Sequence, residues 1–411
     1  MPCGPPAGRD TLGDVTNPSA TTALPARSVL LRLAPFVLII FCVYLTVGMP
    51  LAAIPLQVHD VLGFDNLTVG VAIGIQSLVT LATRQFAGSL GDRWGAKFSV
   101  LVGGAVAVAA SAVYLASARS ELAAYMSLCV LLAARVTSGL AESLIMTGAL
   151  AWGIGVVGTQ NTGKVMVWVG IGLYSAIAVG APIGIHFMTG PHLLGGFADL
   201  SLSMIVLTLL ATALAAFVPG VAPHGGERLA FASVVGRVAP FGAGLALSTV
   251  AFGGIGAFAA LDYRHNGWAG AGFALFAFGA AYVFTRIVFG SWPDRFGGAR
   301  VAVGSLFVEG AGQVMLWLAP GPTVAFAGAA LTGVGYSLVF PSFGIEAVKQ
   351  VPPASRGAAL GAYVAFFDVG FGLAGPVTGA IAGVFGYPFV FAAGAFGAFA
   401  AILIAWRAPR R

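Results

Sequence analysis

Residues 83–95 read TRQFAGSLGDRWG, and residues 285–297 read TRIVFGSWPDRFG. Seven positions are identical at a constant spacing of 202: Thr83/Thr285, Arg84/Arg286, Gly88/Gly290, Ser89/Ser291, Asp92/Asp294, Arg93/Arg295 and Gly95/Gly297. Polar Thr-Arg and Asp-Arg pairs are rare beside long apolar runs, so a chance match between small-residue helices does not account for the pattern. A second correspondence, at a spacing of 194, pairs Gly163 with Gly357, Pro182 with Pro376 and Tyr174 with Asp368. The chain therefore reads as a duplicated unit. Membrane proteins with internal repeats place their site between the repeats at mid-membrane.

Working outward, 58% of the 411 residues are apolar and only 8% are charged. A water-soluble domain carries about 25% charged residues. Most of this surface must therefore face hydrocarbon, where only helices or closed barrels satisfy the backbone. Runs of spanning length, about 20 residues, fall at 33–56, 68–90, 98–118, 122–149, 164–188, 199–218, 238–260, 271–292, 300–318, 323–346, 357–382 and 387–406. The expected fold is an all-α membrane protein of twelve transmembrane helices in two pseudo-symmetric six-helix bundles. The expected division is a disordered tail at 1–30, bundles at 31–218 and 238–406, a polar linker at 219–237 and a short tail at 407–411. The first long apolar run, from Leu33, is of spanning length, so no separate cleavable leader is expected.

Seventeen of the twenty Lys and Arg residues lie in the tails, in the loops after even-numbered spans, or at the helix ends beside them. Only Arg119 and Arg264 lie on the other side, and Arg135 lies within a span. Positive charge concentrates on the cytoplasmic side, which places both termini there. The net charge of +6 follows from those loops, and no nucleic-acid partner is expected. Cys3, Cys42 and Cys129 form no metal or disulfide pattern, and the five histidines show no paired ligand spacing. No Gly-rich loop is followed by Lys-Ser/Thr, so direct ATP coupling is unsupported. Neither a cofactor nor an enzymatic activity is expected.

Gly88-Ser-Leu-Gly-Asp-Arg-Trp-Gly-Ala-Lys97 resembles the loop-2/3 signature of the major facilitator superfamily. Leu90, Asp92, Arg93, Gly95 and Lys97 occupy its matching places. The second copy is degraded: Trp292 and Pro293 replace Leu-Gly, and Ala299 replaces the final basic residue. Arg135-Val-Thr-Ser-Gly139 resembles the fourth-helix signature of proton-coupled members. Gly180-Ala-Pro182-Ile-Gly184 loosely resembles the fifth-helix signature of antiporters, with Ala181 where Gly normally precedes Pro. The stretches at 151–158, 336–352 and 356–370 look like the YhhS/YfcJ group of bacterial efflux permeases. The resemblance implies alternating access, a bacterial inner membrane and efflux of a drug or sugar-like solute by a monomer, with protons and membrane lipid as further partners. It also implies that Gly88, Asp92, Arg93, Gly95, Lys97, Asp294 and Arg295 form gating loops. Gly88, Gly91 and Gly95 are expected to allow close helix approach.

An ionisable group within a span costs roughly 2.5–3.5 kcal/mol or more, so each one calls for an explanation. Arg135 and Glu142 are seven residues apart, so they share a helix face about 10 Å apart along the axis. Glu142 is a candidate protonation site whose charge state Arg135 biases; the alternative is that both make fixed interhelical hydrogen bonds. Asp368, the repeat equivalent of Tyr174, is a candidate cavity acid for a proton or a cationic solute. Glu309 is read as a structural hydrogen-bonding group. Tyr44, Gln76, Trp168, Tyr174 and Tyr363 are candidate cavity residues, as is Trp152, which could instead anchor at the interface. The leading function is a proton-coupled efflux antiporter. An importer or uniporter of the same fold and a non-transporting sensor are the alternatives.

Overall fold

The computed structural model describes Met1 and residues 26–407 except 120, 159–160, 192, 222–230 and 353–355. Most of the expected tail at 1–30, the centre of the 219–237 linker and residues 408–411 lie outside the described residues. The described chain is helical throughout, with no strand. The first half comprises α1 (Ala26–Leu56), α2 (Asn66–Trp94), α3 (Ala96–Ser117), α4 (Ala124–Val157), α5 (Thr162–Thr189) and α6 (Gly196–Phe217). The second comprises α7 (Phe231–His265), α8 (Ala271–Phe289), the short α9 (Trp292–Phe296), α10 (Gly298–Trp317), α11 (Pro322–Lys349), α12 (Arg356–Phe385) and α13 (Pro388–Arg407). Eleven of these helices are long and apolar enough to cross a membrane. The twelfth, α10, is 20 residues long; buried Glu309 and Gln313 lower its hydropathy.

The packing repeats with the sequence. In the first half α1 packs on α5 and α6, α2 on α4, and α3 on α4 and α6. In the second half α7 packs on α12 and α13, α8 on α11, and α10 on α11 and α13. Each pair maps onto its counterpart when the halves are exchanged. The most extensive contacts between halves, α2 with α12 and α5 with α8, are themselves interchanged by that exchange. Large apolar side chains, among them Leu209, Leu210, Phe217, Phe284, Phe307 and Phe396, point outward, as a lipid-facing surface requires.

Several boundaries differ from the sequence reading. α4 continues to Val157 rather than stopping at 149, and α7 begins at Phe231, so residues 231–237 of the expected linker are helical. α8 ends at Phe289 instead of 292, whereas its counterpart α2 runs unbroken to Trp94. Pro293 stands at the repeat position of Gly91. Proline has no N–H for the helix ladder and clashes with the carbonyl four residues back, so the helix breaks and restarts as α9. At the other end of the bundle, Pro55 interrupts the ladder of α1, which widens into a π turn over Gln57–Val61.

Two antiparallel seams join the halves. Along α2 and α12, Gly70 lies against Gly375, Gly74 against Gly372, and Asn66 against Gly379. Without side chains the two backbones meet directly, which small residues permit. Along α5 and α8, Pro182 lies against Gly272 and Ala178 against Gly279. Both seams run from the face that holds the α1–α2, α5–α6, α7–α8 and α12–α13 connections. On that face Asp60 pairs with Arg264 of the other half (2.8 Å) and with His59 (2.8 Å). Asp65 caps α2, accepting hydrogen bonds from the Thr68 hydroxyl (2.6 Å) and amide (2.9 Å). Those bonds hold its carboxyl below the usual carboxylate range. Toward the opposite face the halves diverge, and Gly88, Gly163 and Gly361 have nothing packed against them.

Candidate functional site

The seams end in a central cavity. Its first-half wall is built by α1, α2, α4 and α5, and its second-half wall by α7, α8, α11 and α12. Most of the lining is apolar, including Val47, Leu51, Met146, Met166, Phe340 and Phe367. An aromatic floor separates the cavity from the sealed face. Tyr174 stacks on Tyr282 across the two halves (centroids 3.7 Å apart), and Phe252 contacts Phe278 (5.1 Å) and Phe371 (5.0 Å).

Two carboxylates enter this apolar setting, one from each half. Glu142 of α4 accepts hydrogen bonds from Tyr44 Oη on α1 (3.0 Å) and Gln76 Nε2 on α2 (2.7 Å), with the Thr80 hydroxyl at 3.5 Å. The long apolar face of α4 turns inward at this acid, because hydrocarbon offers it no partner. Asp368 of α12 is 6% exposed and accepts from Arg84 of α2, at 2.9 Å from Nε and 2.5 Å from Nη2. That ion pair spans the two halves at the inner end of the α2–α12 seam.

Tyr44, Gln76, Arg135, Glu142, Tyr174 and Asp368 thus all border one cavity. Three expected cavity residues do not. Tyr363 is fully buried and donates its hydroxyl to the Phe340 carbonyl (2.8 Å), inside the second bundle. Trp168 packs half-buried against the apolar core on another face of α5. Trp152 is neither a lining residue nor an interfacial anchor: it is fully buried, and its indole N–H donates to the Pro219 carbonyl (2.9 Å). Arg135 turns away from Glu142. Its Nε and Nη2 donate to the Ala72 and Ile73 carbonyls of α2 (2.7 Å each), and Nη1 lies 3.5 Å from Tyr114 Oη. Those carbonyls sit directly behind the glycine seam. Glu309 is fully buried and accepts Ser248 Oγ at 2.9 and 2.7 Å.

In the loop signature, Lys97 Nζ donates to the Ala216 carbonyl (2.7 Å), satisfying an orphan group at the end of α6. Gly95 and Gly297 share one conformation, with φ +95° and +89°, a region glycine adopts without cost. The two copies therefore turn alike even though the second has lost Leu-Gly. Gly88 makes no close helix contact, contrary to expectation; it lies past the point where the seam opens. Asp92, Arg93, Asp294 and Arg295 are exposed on the diverging face.

Sequence reasoning missed Arg84 and Arg286, counting them only as loop-side positive charge. The signal was present, since the Thr-Arg pair is identical in both repeats. Arg286 is 6% exposed and borders the cavity.

A pair of twofold-related six-helix bundles, sealed at one face around a polar-studded central cavity, defines a multi-pass secondary transporter. The chain belongs to the Major Facilitator Superfamily, whose sequence profile matches residues 36–264 and 241–411. It is 43% identical over 376 residues to an uncharacterized MFS-type transporter of Burkholderia pseudomallei (strain 1106a), covering 91% of each chain. Its fold is similar to that of a D-xylose–proton symporter (TM-score 0.73, 14% identity, 92% of this chain and 98% of that one). It is also similar to the nucleoside transporter NupG (TM-score 0.67, 16% identity, 92% and 97%). Transporters of this family are not enzymes.

Proposed function

We propose that the protein is a proton-coupled exporter of a small organic solute, working by alternating access as a monomer in a bacterial inner membrane with both termini cytoplasmic. The observation that carries this reading is the placement of Glu142 and Asp368, one from each half, in a single cavity whose walls come from both halves. A proton taken up by either carboxylate changes the forces between the halves. Ionised Asp368 holds Arg84 and ties α2 to α12. Neutral Asp368 loses the Coulomb attraction between the two charges and keeps only a hydrogen bond from the guanidinium. Glu142 faces Tyr44, Gln76 and Thr80, and Asp368 faces Arg84. Both acids border the same cavity. Arg135 acts as a positioning residue that holds α2 by its carbonyls. The efflux direction is supported by the likeness of residues 151–158, 336–352 and 356–370 to bacterial efflux permeases. The gating role of Gly95, Lys97 and their loop is supported by the turn the two copies share.

Reconstitution into liposomes with an internal pH-sensitive dye tests the proposal. A solute gradient is expected to drive counter-flow of protons in the wild type. Glu142→Gln is expected to fold normally and to lose at least tenfold of that flux. Proton flux by Glu142→Gln equal to wild type would refute the role of this acid.

A further inference from the structure

Arg84 and Arg286 are one residue of the repeat, and the seams they terminate are exchanged by the same twofold. In the α2–α12 seam, Arg84 meets Asp368. In the α5–α8 seam, the residue equivalent to Asp368 is Tyr174, so the matching acid is missing. Arg286 is nevertheless buried. Its Nη2 donates to Tyr282 Oη (2.5 Å), and its guanidinium carbon lies 5.2 Å from that ring's centroid. Its Nε has no hydrogen-bond partner, and among the described residues no carboxylate lies within ion-pair range of it. A buried guanidinium with neither anion nor full hydrogen bonding is costly.

The other charges of the cavity do not relieve it. Arg84, Arg135 and Arg286 stand against Glu142 and Asp368, so the lining carries net positive charge even with both acids ionised. Arg135 has two backbone carbonyls for its guanidinium and Arg84 has Asp368, which leaves Arg286 as the cation with neither a counter-charge nor a partner for its buried Nε. We infer that the transported solute is an organic anion. Its carboxylate, sulfonate or phosphonate group takes, beside Arg286, the place that Asp368 takes beside Arg84. The forked donors of a guanidinium match such oxyanions. The apolar body of the solute lies against Tyr174, Phe252, Phe340 and Phe367, so an arene or branched alkyl acid fits better than a hydroxyl-rich sugar. The inference rests on the transporter reading of this cavity and names its substrate class.

The test is equilibrium binding of radiolabelled 1-naphthoate to the purified full-length protein in neutral detergent, with displacement by its neutral alcohol and cationic amine analogues. Naphthoate is expected to bind at least tenfold more tightly than either analogue. Arg286→Gln is expected to weaken naphthoate at least tenfold while changing the alcohol less than twofold. Tyr174→Asp, which supplies the missing acid, is expected to weaken naphthoate similarly, whereas Tyr174→Phe is not. Tighter binding of the amine, full naphthoate affinity in folded Arg286→Gln, or no specific naphthoate binding at millimolar concentration would overturn the inference. So would displacement by phosphatidylglycerol but not by other arene carboxylates, which would assign the site to a lipid headgroup. Should Arg286→Gln fail to fold, the ranking of the three ligands on wild type still decides. Binding is read without a gradient, so loss of proton coupling and loss of anion preference are separate results.

Discussion

Arg84 and Asp368 show what a single pair contributes. Removing one partner of a buried ion pair leaves a charge without compensation, at a cost of roughly 3–5 kcal/mol. Arg84 keeps 21% of its side chain exposed, so the lower end of that range applies. Asp368→Ala is expected to lower the thermal stability of the detergent-solubilised protein markedly, and Arg84→Ala/Asp368→Ala to recover most of the loss. Equal destabilisation by the single and double variants would show that the pair itself matters little. At this scale the sequence was informative about the acids. Charge inside an apolar run is expensive wherever it occurs, so Glu142 and Asp368 stood out. It was less informative about aromatics, because a tyrosine is equally at home in a cavity or a core. Tyr44 and Tyr174 face the cavity, while Tyr363 finds a carbonyl inside its own bundle. Arg135 was legible as unusual, but its partners are backbone carbonyls of another helix, which no side-chain pattern announces.

Among the helices, α2 and α12 carry the tightest approach between the halves. A methyl group at Gly74 would meet the Gly372 carbonyl, and would lie 2.9 Å from Pro376 Cδ. Backbone cannot step aside as a side chain can, so Gly74→Ala is expected to part the seam. Leu51 lines the cavity and is 2% exposed. Labelling of Leu51→Cys by an impermeant maleimide added from the sealed face is expected to speed up at least tenfold in the Gly74→Ala background. The start of α2 offers a separate check. Asp65→Ala removes the cap, a loss of about 1 kcal/mol for such positions. The folded carboxyl of Asp65 titrates below its unfolded value. The cap therefore stabilises fully at neutral pH and fades as pH falls through about 4 and below. The melting-temperature gap between wild type and variant should shrink over that interval. Helix number and order were readable from apolar run length. The break before α9 was readable in principle, since Pro293 replaces Gly91. The ends of α4 and α7 were not, because helices that extend beyond the bilayer take on polar and glycine residues that look like loop.

For the whole molecule, the sealed face is where closure can be tested. Asp60 and Arg264 approach to 2.8 Å across the halves, but both are partly exposed, and such pairs contribute about 0–1 kcal/mol. Their use is as reporters. Asp60→Cys/Arg264→Cys, joined by a short bismaleimide, is expected to stop transport completely, while either single variant treated alike keeps it. Undiminished transport by the joined protein would exclude opening at this face. The twofold itself was legible early, because a repeat written in polar residues survives divergence that erases apolar matches.

The glycine seams bear on how quickly the two faces could trade places. Where interlocked side chains separate, rotamers must reorganise and cavities open before anything is regained. In the proposed cycle bare peptide planes would slide apart, with the carbonyls they uncover ready to be hydrated. On the proposed mechanism the barrier to rocking would then reside in a few charged and aromatic clasps, chiefly Arg84–Asp368 and the Tyr174–Tyr282 stack, and a coupled proton and the solute would act on the slow step directly.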